Sequence, residues 1–150
     1  MENRKKAVKL YNVLFPFWML MLVPSLWLIV LPGNFIIDSL VLVVSMAALK
    51  LADRKTLYKR SILKIFGFGL LADFIGTGYM LLMLVLEWTD SGDSLSLTLP
   101  ALILSAAMIF VFHYFIIFKK TVKSLRLKLA LIFSLVTAPY TFLVPTSWLY

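Results

Sequence analysis

All fifteen lysines and arginines of this chain fall into three clusters, and between the clusters no basic residue occurs. The first cluster holds Arg4, Lys5, Lys6 and Lys9. The second holds Lys50, Arg54, Lys55, Lys59, Arg60 and Lys64, and the third Lys119, Lys120, Lys123, Arg126 and Lys128. The intervening runs are almost wholly apolar. Of the 150 residues 62% are hydrophobic and only 15% charged, with a mean hydropathy of +0.97. Too few polar residues remain to cover a water-facing surface, so lipid is the solvent this pattern calls for.

A hydrocarbon core of about 30 Å takes roughly 20 apolar residues as a helix. On that measure the sequence predicts an all-α, polytopic membrane protein. Its single domain, residues 1–150, holds five transmembrane helices at about 10–31, 34–50, 65–86, 100–118 and 129–149. The turn signal Pro32-Gly33-Asn34 separates the first two spans, and Pro100 suits the first turn of the fourth. Lys50 lengthens the short second span by laying its methylenes along lipid. β-Barrel strands would alternate apolar and polar residues, and these runs do not. The basic start resembles a secretory signal, but the apolar run after it is too long and lacks a small-residue cleavage site. It reads as a retained anchor.

With five spans, every basic residue lies on one side of the membrane. The opposite connections carry Glu87, Asp90 and Asp93 and no basic residue. The positive-inside rule makes the basic side cytoplasmic, with the N-terminus inside and the C-terminus outside. Trp27, Trp88, Trp148 and Tyr150 then fall at outer ends, where amphipathic rings settle among headgroups. A bacterial plasma membrane is the expected location. The net charge of +8 therefore reports orientation and not nucleic-acid binding. The basic clusters can also attract anionic lipid headgroups, at about 1 kcal/mol per charge, or serve only to fix topology.

Asp73 is the residue that points most directly to chemistry. It stands nine positions beyond Lys64, about 13 Å along a helix, near the membrane centre. An ionised carboxylate there costs a few kcal/mol unless it meets water, a proton or a partner. Gly69, Gly76, Thr77 and Met80 share its helical face, and Ala72 with Gly76 forms a small-xxx-small pair that admits a neighbouring helix. Two readings stand: an ion or proton site, or a hydrogen-bonded acid that ties two helices together.

His113, six residues before Lys119, lies at a depth compatible with Asp73 and would suit proton movement if the two met. It also suits a hydrogen-bonded interior position. Asn34 as a helix cap would place Asp38 in the first turn, near the outer surface, where the helix dipole favours a carboxylate. Asp38 therefore groups with Glu87, Asp90 and Asp93 as an outer vestibule. Gly76-Thr77-Gly78 can mark a broken helix or a packing notch, and packing is the simpler account. Pro24 and Pro145, in the similar stretches Pro24-Ser25-Leu26-Trp27 and Pro145-Thr146-Ser147-Trp148, are candidate kinks. The alternation from Ser94 to Leu99 predicts an extended piece on the outer surface.

No cysteine is present, and no zinc-protease pair, nucleophile elbow, phosphate loop or dinucleotide fingerprint appears. Neither an enzyme nor a cofactor or metal site is expected. The expectation is a small oligomeric channel or transporter using Asp73, His113 and Thr77 for an ion or proton. The alternative is a non-catalytic accessory or immunity-type protein that binds another membrane protein.

Overall fold

The computed structural model describes residues 24–86 and 95–143, and these are helical, with no strand among them. A 3-10 turn, Pro24–Leu26, leads into α1, Trp27–Ala48. Then come α2, Arg54–Val85, and α3, Leu95–Phe112, which continues into a π-helical segment, His113–Ile117. Next is α4, Lys123–Val136, and a 3-10 turn, Tyr140–Leu143, follows it. Four helical units are long and apolar enough to cross a membrane: Trp27–Ala48, Arg54–Val85, Leu95–Ile117 and Lys123–Leu143. Helices of this kind suit a membrane location. The expected boundary between the first two spans falls inside α1, so residues 27–31 belong to the same helix as 34–48; the rest of the first span before residue 24 and the fifth beyond residue 143 lie outside the described residues.

Neighbouring helices run antiparallel. Trp27 stacks edge-on with Phe74, and further along α1 Phe35 meets Phe66. Beyond them Tyr58 Oη donates to Ser39 Oγ at 3.0 Å. Phe68 meets Phe112 and Ala72 meets Ser105, so α2 and α3 also oppose. The α1–α2 and α3–α4 connections therefore sit at the same end. The basic residues from Lys50 to Lys64 and from Lys119 to Lys128 gather there. At that end Arg126 lies over the Tyr114 ring, 4.1 Å from its centre, a cation–π contact joining α3 to α4. The first connection is short because α1 stops sharply. Lys50 adopts a left-handed conformation (φ 51°), Leu51 N–H bonds the Met46 carbonyl and Lys50 N–H bonds that of Ala47. This is the paired-bond stop that satisfies a helix's last carbonyls.

The outer surfaces are apolar: Leu28, Leu63, Val85 and Leu95 are all well exposed. The interior is comparatively polar, burying Ser45, Ser61, Thr77, Thr98, Ser105 and Ser134 beside the acids. Small and hydroxylic residues let helices approach and bond across their contacts where hydrophobic burial gives no drive. Towards the basic end the core is Leu42, Ile65, Ile109, Phe118, Leu129 and Phe133. A smaller cluster at the opposite end holds Met80, Leu97, Ala101 and Phe142.

Three expectations are corrected. Pro32-Gly33-Asn34 is not a turn, because α1 runs straight through it. Pro32 forfeits one backbone hydrogen bond, whereas breaking the helix in an apolar medium would forfeit several. Of the alternating stretch expected to be extended from Ser94 to Leu99, residues 95–99 are helical, since α3 begins at Leu95, and Pro100 lies within it. Leu97, Thr98, Ala101 and Ser105 are buried at helical spacing, and that longer period prevails over six alternating positions. Finally, α2 begins eleven residues before the expected span, so its basic segment is helical. Its 32 residues extend about 48 Å, well beyond a 30 Å core.

Candidate functional site

Asp38 and Asp73 line one cleft. It is bounded by α1, α2 and the residues that follow α4, and its volume is about 500 Å³. From α1 come Ile37, Asp38 and Asn34, and from α2 come Gly69, Leu70 and Asp73. Val136 to Phe142 close the third side. The cleft exists because α1 and α4 touch only sparingly, whereas α2 and α3 pack closely along their length. Ile29, Ile37 and Tyr140 are exposed lining residues, so it opens on the outside of the described bundle.

Gly69 brings the two acids together. Asp38 Oδ2 lies 3.6 Å from the point where a Cβ on residue 69 would stand. Asp73 is one helical turn further along the same face of α2, where side chains four apart are neighbours. The two acids are only 7% and 8% exposed, and Asp73 Oδ1 is buried with no hydrogen-bond partner. Two nearly buried acids lining one cleft attract a positive charge or a proton.

The third wall is an interrupted helix. α4 ends at Val136, eight residues past Lys128, about 12 Å along a helix and so close to the depth of Asp73. Pro139 has no N–H with which to bond the Leu135 carbonyl, and the Tyr140 hydroxyl donates to that carbonyl instead. Thr137 directs both its N–H, at 2.9 Å, and its hydroxyl, at 2.8 Å, to the Phe133 carbonyl. Tyr140 N–H turns back to Ala138 at 2.7 Å. The carbonyl end of a helix carries partial negative charge, and interrupted helices in transporters present such ends to cations. Among the described residues no Lys, Arg or His lines the cleft. The carboxyl groups on its lining are those of Asp38 and Asp73.

Asp38 is thus not the first-turn, outer-surface carboxylate expected from Asn34 as a cap. With no break at Asn34 it lies well inside α1 and lines the same cleft as Asp73. His113 is buried elsewhere, stacked on Phe133 at 4.7 Å and beside Phe118. Its Nδ1 lies 2.7 Å from the Ile109 carbonyl, and neither its Nε2 nor Asp73 Oδ1 has a hydrogen-bond partner. The structure does not place His113 in the cleft. Thr77 is buried one turn beyond Asp73, also outside the lining.

Gly76 is the tightest point between α2 and α3. A Cβ there would stand 2.1 Å from Ser105 Oγ, 2.8 Å from Phe142 Cε2 and 3.2 Å from the Ala101 carbonyl oxygen. Ser105 Oγ also donates to the Ala72 carbonyl at 3.1 Å. Gly78 has nothing within 4 Å, and α2 passes through Gly76-Thr77-Gly78 unbroken. Pro24 opens the short 3-10 turn before α1. Glu87, Asp90, Asp93 and Pro145 lie outside the described residues.

Sequence reasoning missed Asn34, Thr137 and Tyr140 as neighbours of the acids. Pro139, flanked by Thr137 and Tyr140 within an apolar run, was the available sign of an interrupted helix at this depth. Comparison with protein-family models, with curated proteins and with solved structures gives no match to this chain.

Proposed function

We propose that this protein is a small membrane transporter or channel in which Asp38 and Asp73 together form the cation or proton site. The observation that carries the reading is the meeting of the two acids in one cleft against the carbonyl end of α4. A helix tie would pair a buried acid with a donor, and among the described residues Asp73 Oδ1 has none. The acid pair is complete within one chain, so this reading does not require subunits to share the path. The proposal keeps five spans, with the basic ends cytoplasmic, in a plasma membrane of bacterial type.

Reconstituted vesicles test it. Proton and alkali-cation flux is measured for wild type, Asp73→Asn and Asp38→Asn, with folding checked by gel filtration and circular dichroism. Flux that falls at least about tenfold in both folded variants, some 1.4 kcal/mol in the barrier, is the expected result. Flux that is unchanged in both would remove the acids from the path. Silence from all three, together with a co-purifying membrane protein, would favour the partner-binding alternative.

A further inference from the structure

We propose that the cleft takes a lipophilic organic cation, an amine or onium group bearing apolar or aromatic substituents, with its charge held between Asp38 and Asp73. This deepens the transport reading and rests on it. Size is the first reason. About 500 Å³ falls within the range of sites for small organic molecules and far exceeds what a dehydrated metal ion fills.

The lining is the second reason. Apart from the acids the walls are mostly apolar, with Ile37, Leu70, Val136 and Phe142 among them. The hydroxyl protons of Thr137 and Tyr140 are committed to backbone carbonyls. A hard metal cation requires six or more oxygens in a close shell. No group of three acidic, histidine or cysteine side chains fit to hold a metal occurs among the described residues. Two carboxylates at the base of an apolar cleft instead match a single positive charge on a greasy body. Two aromatic residues, Tyr140 and Phe142, also belong to the lining. The opening past Ile29, Ile37 and Tyr140 gives that body a route along apolar surface.

The experiment is equilibrium binding to the full-length protein in detergent, with tetraphenylphosphonium as the charged probe and triphenylphosphine oxide as an uncharged one. Wild type should bind the cation saturably and at least about tenfold more tightly than the neutral probe, a difference of some 1.4 kcal/mol. Asp73→Asn and Asp38→Asn should each lose most of that preference. Equal binding of the two probes by wild type overturns the proposal, and this comparison does not depend on how any variant folds. Absence of saturable cation binding overturns it as well. If vesicle flux of protons or alkali cations still depends on Asp73, that result leaves the transport reading standing; if such flux is also absent, both fail.

Discussion

The Asp38 carboxylate stands over Gly69, its Oδ2 3.6 Å from where a Cβ would be, and Asp73 follows one helical turn further along the same face. A methyl group at that distance makes ordinary van der Waals contact; a branched side chain does not fit without moving the acid.

Gly69→Ala should therefore fold and bind tetraphenylphosphonium like wild type. Gly69→Leu should push Asp38 aside, fill part of the cleft and weaken binding by about tenfold or more, with a smaller change in melting temperature. Equal binding by both variants would mean that the acids do not act through this contact.

The two glycines around Thr77 should behave oppositely. Gly76→Ala drives a methyl into Ser105 and Phe142, and overpacking of this kind costs about 1–3 kcal/mol. Gly78→Ala meets open space in a helix and should be neutral or stabilising by up to about 1 kcal/mol. A denaturation series in detergent separates them, and combining Gly76→Ala with Ser105→Ala should recover part of the loss.

His113→Phe should leave flux and its dependence on pH unchanged between about pH 5 and pH 8, because the ring sits in the aromatic core and not in the cleft. The substitution removes the Nδ1 bond to Ile109, so a stability loss of about 0.5–1.5 kcal/mol is expected. A flux–pH curve displaced by this change would return His113 to the pathway.

Orientation can be read chemically because the chain has no cysteine of its own. Single substitutions Thr56→Cys and Ser91→Cys should differ towards a membrane-impermeant maleimide in intact cells. Ser91→Cys should react, and Thr56→Cys only after lysis. The reverse pattern would invert the topology.

The membrane-crossing character was legible because charge and hydropathy act over long windows that local detail does not blur. Asp73 and its small-residue face were legible for the same reason, since helical spacing alone put Gly69, Gly76 and Thr77 beside it. Asp38 was misplaced by a single local signal. Pro32-Gly33-Asn34 favours a turn in water, where freed backbone groups find solvent, but in an apolar medium the helix is kept. That error moved Asp38 from mid-helix to a first turn and hid the cleft it shares with Asp73. His113 showed the opposite weakness. Depth along a helix says nothing of which way a ring faces, and His113, at the start of a π-helical segment that no spacing rule announces, stacks on Phe133.

That segment, His113–Ile117, also fixes how many residues the chain can hold at this point. A π-turn is an α-turn with one residue added, and the added residue advances the phase of all that follows by about 100°. Phe118 meets Phe133 and His113 only in the advanced phase. Deleting one residue here would leave a regular α-helix of almost the same composition and hydropathy. It would nonetheless swing Phe118 away from its partners, so the count of residues matters at this point more than their kind.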